Sequence, residues 1–309
     1  KIRSQIFQKS RSLPNTSIST PVFVIGLPRS GTTFLFNLLS IDSRHRSPLF
    51  WEMMNPLPLC KPGSFAEIMR VMRSRTILFS KNRFISKLDD LHEITARSPE
   101  ECLLIKVFAL RSVLYFYMAN TPTFLSYLEQ SDRTVSYLWH RRFLKVLQNV
   151  YKPKRWLLKD PSHLGNLDEI LSIYPDARFI QIHRDPAETI PSICSLTSQV
   201  RRGFTDSVDL HELGKRTLEF WENSKKRNEK QMKNLKDDQY IDVYYEDLIK
   251  NPISVIQEIY TKLNFSLEEE NKELMKSYIE RSAITSKEKH IYTLEEYGLS
   301  KKEVHNRLQ

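Results

Sequence analysis

Two of the seven glycines in this 309-residue chain, Gly26 and Gly31, fall within six residues of each other. Seven glycines are about 2% of the chain, against a usual ~7%. A chain so sparing with glycine that doubles it in one loop has a special backbone need there. Pro21 opens the apolar run Val22-Phe23-Val24-Ile25 just before the loop, and Phe34-Leu35-Phe36-Asn37-Leu38-Leu39 follows with helical character. The run suits a strand buried on both faces. Strand, loop and helix in that order open a βαβ unit. Gly26-Leu27-Pro28-Arg29-Ser30-Gly31-Thr32-Thr33 has the G-x-x-x-x-G spacing of a phosphate-binding loop. Backbone N–H groups of such a turn and of the helix behind it converge on one anion. Thr32 stands where nucleoside triphosphatases carry lysine, so Arg29 is the loop's cation. That suits an anion with less charge than a triphosphate and no metal to hold.

Strand signals return at Arg155-Trp156-Leu157-Leu158, at residues 177–182 and at residues 239–244. Helical stretches at Leu164 to Tyr174 and Leu210 to Leu235 separate them. The alternation predicts an α/β fold, a P-loop-type parallel sheet flanked by helices with its ligand site at the carboxyl ends of the strands. Residues of about 60–155 have helical spacing and few glycines, and read as a mostly helical insertion. Its aromatics, Tyr115, Phe116, Tyr117, Phe124, Tyr127, Tyr137, Trp139 and Phe143, are expected mostly in the core. The apolar stretch from Cys102 to Ala119 is interrupted by Lys106 and Arg111, so it reads as a buried or amphipathic helix and not a membrane span. Residues 1–20 are a polar, serine-rich arm, and 21–309 read as a single domain.

The net charge of +10 favours a phosphate-rich partner: a nucleotide, a nucleic acid or an anionic membrane surface. Lysines and arginines are spread along the chain among acids, which argues against the basic stripe of a nucleic-acid module. Cys60, Cys102 and Cys194 are odd in number and scattered, which argues against a disulfide scaffold and a structural zinc site. His92-Glu93 and His211-Glu212 begin like HExxH, but Ala96 and Lys215 stand where the second histidine belongs, so no metal is expected. There is no signal peptide, and the expectation is a cytoplasmic protein. The chain starts at Lys1; an anchor on a trimmed N-terminal piece would instead place it at a membrane or in the Golgi lumen.

Two further strand ends carry chemistry. In Ile182-His183-Arg184-Asp185-Pro186, Arg184 leaves the strand tip and Ser192 follows eight residues later, about two helical turns on. A guanidinium and a hydroxyl converging from those places can bind another phosphate. His183-Arg184-Asp185 also mimics a protein-kinase catalytic loop, but Ile190 occupies the required asparagine position. In Trp156-Leu157-Leu158-Lys159-Asp160-Pro161-Ser162-His163 a strand ends in a lysine beside an acid. Arg29, Lys159 and Arg184 are thus delivered toward one edge of the sheet.

Taken together, the loop from Leu27 to Thr33, Lys159-Asp160-Pro161, the Arg184 and Ser192 pair and Tyr245-Glu246-Asp247-Leu248 resemble the sulfotransferases that use 3′-phosphoadenosine 5′-phosphosulfate (PAPS). The resemblance is closest to a branch with bacterial lipid-type enzymes and, more distantly, the protein-tyrosine sulfotransferases. Trp51-Glu52 with Pro56, Ser98-Pro99-Glu100-Glu101, Tyr292 and Tyr297-Gly298-Leu299 fit that branch, and the match spans about residues 21–300. It implies that Pro28, Arg29, Ser30, Gly31, Thr32 and Thr33 hold the 5′-phosphosulfate. Arg184 and Ser192 would hold the 3′-phosphate, and Tyr245 would lie near the adenine. The Arg-Lys-Gly segment of the cytosolic branch is absent, with Lys287, Lys289 or His290 as substitutes.

The reaction implied moves a sulfuryl group to a hydroxyl and leaves 3′-phosphoadenosine 5′-phosphate (PAP). It needs a base, in-line placement and positive charge at the leaving phosphate oxygen. Arg29, the loop N–H groups and Lys159 answer the last need. For the base the resemblance ranks Glu52 first, His163 second, and His92 and Glu101 third. The aromatic-rich insertion suggests a hydrophobic, lipid-like alcohol as acceptor. The alternative is a P-loop nucleotide-dependent kinase or phosphotransferase, which predicts ATP binding and magnesium dependence.

Overall fold

The computed structural model describes residues 2–12, 17–84, 95–284 and 293–308. Five parallel strands, β1 (Val22–Gly26), β2 (His45–Arg46), β3 (Arg155–Lys159), β4 (Arg178–His183) and β5 (Tyr240–Tyr244), lie in the order β2-β3-β1-β4-β5. β1 is central: Val22 stands opposite Leu157 on one side and Arg178 on the other. Every residue of β1 is buried, as its unbroken apolar run requires. Alternate side chains supply opposite layers, with Phe23 and Ile25 in one core cluster and Val22 and Val24 in another. β2, only two residues long and at the sheet edge, carries too short a pattern to be read from sequence.

Near the N-terminus, α1 (Ile2–Ser12) lies within the segment read as a polar arm, and its Ile6 is fully buried in the first cluster. α2 (Thr32–Leu39) follows the glycine loop, and α3 (Phe50–Met54) follows β2. The region between β2 and β3 adds α4 (Phe65–Phe84), α5 (Leu103–Val107), α6 (Leu114–Met118), α7 (Pro122–Gln130) and α8 (Thr134–Tyr151). The stretch from Cys102 to Ala119 is two short helices and not the one helix expected. Leu110 adopts a left-handed φ of 54°, the Arg111 N–H closes onto the Lys106 carbonyl, and the Ser112 hydroxyl donates to the Leu103 carbonyl. Of the insertion's aromatics, Phe116, Tyr117, Tyr137, Trp139 and Phe143 are buried, whereas Tyr127 is exposed beneath the Arg111 guanidinium.

After β3 come α9 (Leu167–Ile173), α10 (Pro186–Arg202), α11 (Leu210–Met232) and α12 (Tyr245–Lys250). α8 and α9 cover one face of the sheet; α2 and the helix Pro252–Lys262 cover the other. β1, β3 and β4 therefore end side by side, with Lys159 the last residue of β3 and Arg29 and Arg184 in the turns after β1 and β4.

Candidate active site

The loop after β1 is built around its two glycines. A side chain on Gly26 would put Cβ 2.6 Å from the Ile182 carbonyl oxygen of β4. At Gly31, φ is +97° and a Cβ would lie 2.6 Å from the Tyr245 ring. Both positions need glycine for close approach and for backbone conformation. The Ser30 hydroxyl and N–H both donate to the Leu27 carbonyl, which closes the turn and aims the start of α2 into the space above the sheet. Arg29 itself has a left-handed φ of 67°, an uncommon choice for a residue with a side chain.

That conformation turns Arg29 toward β4 and α10. Its Nε donates to the Ser192 hydroxyl at 3.1 Å, and Arg184 Nη1 donates to the Arg29 carbonyl at 3.0 Å. The Arg184 guanidinium stacks 4.2 Å from the centre of the Tyr245 ring and pairs with Glu188 one helical turn on. Arg29, Arg184, Ser192 and Tyr245 thus form one cluster, delivered by the loop, a strand tip, the second turn of α10 and the start of α12. The Arg29 side chain thus joins the Arg184 and Ser192 group.

Lys159 occupies the other flank of the loop. Its side chain is 2% exposed, and Nζ lies 2.7 Å from Glu101 Oε1 and 2.9 Å from the Thr33 hydroxyl. Burying a lysine side chain is costly unless its nitrogen is partnered in this way. Between the two flanks lies a cavity of about 540 Å³, lined by Pro28, Arg29, Gly31, Thr32, Thr33, Arg184 and Tyr245 on the sheet side. Across from them Leu103, Leu104, Leu114, Tyr117, Leu196 and Val200 make an apolar wall, with Glu101 at the junction.

Two candidate bases lie elsewhere. Glu52 is 1% exposed, paired with Arg46 of β2, and accepts the Leu49 N–H at 2.9 Å, so it closes the N-terminus of α3. It faces a separate small cavity beside Trp51 and Tyr151. His163 is fully buried beneath the sheet end, edge-on to Phe23, with Nδ1 2.8 Å from the Tyr137 hydroxyl. Burial, then the nearby Lys106 and His140, push its pKa well below the ordinary histidine range. Neither side chain lines the large cavity. Of the third-ranked pair, Glu101 does, whereas His92 lies outside the described residues, as do Lys287, Lys289, His290 and Tyr292.

One polar centre escaped the sequence reading. Lys106, almost wholly buried, pairs with Asp160 at 3.1 Å and donates to the Ser162 hydroxyl at 2.9 Å, tying α5 to the turn after β3. The signal was present: a lysine inside an apolar run of a folded chain requires a buried acid somewhere. Among the described residues no three of His, Cys, Asp and Glu gather as a metal site would need.

A family model described as the sulfotransferase family matches residues 21–269. The omega-hydroxy-beta-dihydromenaquinone-9 sulfotransferases of Mycobacterium bovis and Mycobacterium tuberculosis are each 26% identical to the chain over 252 residues. That alignment covers 79% of this chain and 62% of the length of each relative. The crystal structure of sulfotransferase STF1 from Mycobacterium tuberculosis H37Rv superposes with a TM-score of 0.81 at 27% identity, over 99% of this chain and 80% of that one. Sulfotransferase STF9 from Mycobacterium avium gives 0.82 at 25% identity, over 98% and 79%.

Proposed function

The chain belongs to the sulfotransferase family, and on that premise we propose that it transfers the sulfuryl group of PAPS to the hydroxyl of an apolar, lipid-like alcohol. The observation that carries this reading is the composition of one cavity. Its lining joins a cationic, backbone-rich cradle to an apolar wall, and also includes Glu101, whose carboxylate holds the buried Lys159.

The parts divide as follows. Thr32, Thr33 and the N–H groups opening α2 receive the 5′-phosphosulfate, while Arg184, Ser192 and the Arg29 side chain receive the 3′-phosphate. Tyr245, already stacked on Arg184, flanks the adenosine. The acceptor lies against Leu103, Leu114 and Leu196, with its hydroxyl at Glu101. Glu101 takes the hydroxyl proton as the oxygen attacks sulfur, the bond from sulfur to the phosphate oxygen breaks, and PAP leaves. Lys159, between Glu101 and Thr33, both orients the carboxylate and stands where the leaving oxygen gathers charge. The name of the mycobacterial relatives, with its hydroxylated menaquinone acceptor, supports an apolar alcohol here.

Thermal-shift titration tests the donor half. PAP should raise the melting temperature of the wild type through binding to the native state, whereas ATP with magnesium should not. In Arg184→Ala the PAP affinity should fall by roughly 10- to 100-fold, the worth of one charge-assisted hydrogen-bond set. A larger shift with ATP and magnesium than with PAP would overturn the reading.

A further inference from the structure

Helix α4 is apolar on two opposite sides. Its inner side, Val71, Ser74 and Leu78, is buried against Phe50 and Trp51 of α3. Its outer side carries Phe65 at 77% exposure, Ile68 at 46%, Met69 at 49%, Met72 at 53% and Phe79 at 71%. Those positions follow the three- and four-residue steps of one helical face. Scattered exposed apolar residues are ordinary, but five on one stripe mark a surface that meets something.

The borders of the stripe say what it meets. At about 100° per residue, Arg73 falls on one edge and Arg75 on the other, and both are exposed. Glu67, the acid in this helix, is turned inward, where it pairs with Arg97 and accepts the Gly63 N–H. An apolar stripe with an exposed arginine on each edge and no acid on the outward face of its described residues complements an anionic lipid surface: the apolar side chains enter the acyl boundary and the guanidinium groups meet phosphates. We propose that α4 is an interfacial helix that docks the protein flat onto an anionic bilayer. Among the described residues no helix is long and apolar enough to cross one.

The location gives docking a use. Phe50, on which α4 rests, is itself part of the lining of the large cavity. Docking through α4 thus holds the acceptor wall beside the phase in which an apolar alcohol dissolves. This last link rests on the acceptor reading above; the docking itself does not.

Vesicle co-sedimentation of the whole protein is the test, using phosphatidylcholine alone and phosphatidylcholine mixed equally with phosphatidylglycerol. The wild type should bind the anionic vesicles and bind neutral ones weakly. Phe65→Gln/Met72→Gln/Phe79→Gln should lose binding at least about tenfold, and Arg73→Gln/Arg75→Gln should lose about fivefold per arginine removed. Both variants change exposed residues and should keep the wild-type PAP-induced thermal shift, so a failure of docking is separable from a failure of the donor site. Wild-type protein that ignores anionic vesicles, or a triple variant that binds as tightly as wild type, overturns the proposal. So does a wild-type dimer that the triple variant converts to monomer in the absence of lipid binding, since the stripe would then join two copies of this chain.

Discussion

The two walls of the large cavity are built by different means. The side proposed for the donor is made of strand tips and turns, where Arg29, Gly31 and Arg184 sit within a few residues of β1 and β4. The side proposed for the acceptor is made of helices from two distant parts of the chain, the short α5 and α6 of the insertion and the second half of α10. A sheet edge fixes backbone N–H groups and a few cations in a rigid frame, which suits one invariant ligand. Helix-borne leucines can be exchanged singly without disturbing that frame, which suits a wall that is shaped to one apolar ligand.

The sharpest way to break this comparison is at the junction of the walls. Glu101→Gln should lower the transfer rate by about 10²- to 10⁴-fold, the usual worth of a positioned base, while PAP binding persists. Glu52→Gln, by contrast, should act on α3 and melt the protein earlier, with the rate per folded molecule nearly kept. If the two carboxylates exchange these phenotypes in single-turnover assays, the base has been misplaced.

Gly31→Ala tests the rigidity of the donor side. The added Cβ meets the Tyr245 ring in a backbone conformation that disfavours side chains, so stability should fall by roughly 1–3 kcal/mol. PAP affinity should fall with it, readable by calorimetry. Leu196→Ala probes the opposite wall: KM for an apolar alcohol should rise about tenfold with the PAP dissociation constant unchanged.

Acid should act on the seam beneath both walls. His140 of α8 and His163 of the turn after β3 both pack near Phe23 of β1, with ring centres 6.1 Å apart. Burial, with Lys106 adding to it, holds His140 down at about 3, and burial lowers His163 in the same direction. Both are neutral when folded and take up protons on unfolding, so their contribution is whole above pH 6.5 and is lost as pH falls below it. By pH 5.5 each should cost up to roughly 1.4 kcal/mol, seen as a falling melting temperature between pH 7.5 and 5.5. A flat profile there would mean that these rings reach solvent.

How much of this was legible beforehand follows the same division. The central strands, the glycine loop and the Arg184 and Ser192 pair all depend on residues close in sequence, whose spacing carries their geometry. The choice among Glu52, His163 and Glu101 depends on where segments some fifty and sixty residues apart are folded together, and no local pattern encodes that. Glu52 accepts the Leu49 N–H and pairs with Arg46, contacts that the spacing of the motif does not show. The break at Leu110 likewise arises from contacts around Ser112 that the apolar run concealed.

By itself the amino-acid sequence determined a parallel α/β sheet and an anion-binding turn that lacks the nucleotide-triphosphatase lysine. Both rest on hydrogen-bond and steric rules acting within about ten residues, whereas the donor itself was implied only by the resemblance those motifs carry. Only the tertiary structure decided that Arg29 turns to Ser192, that Lys159 pairs with Glu101, and that α4 leaves an apolar stripe outside. Those outcomes depend on which buried charges find partners, and on which apolar faces find cover, once distant segments are packed together.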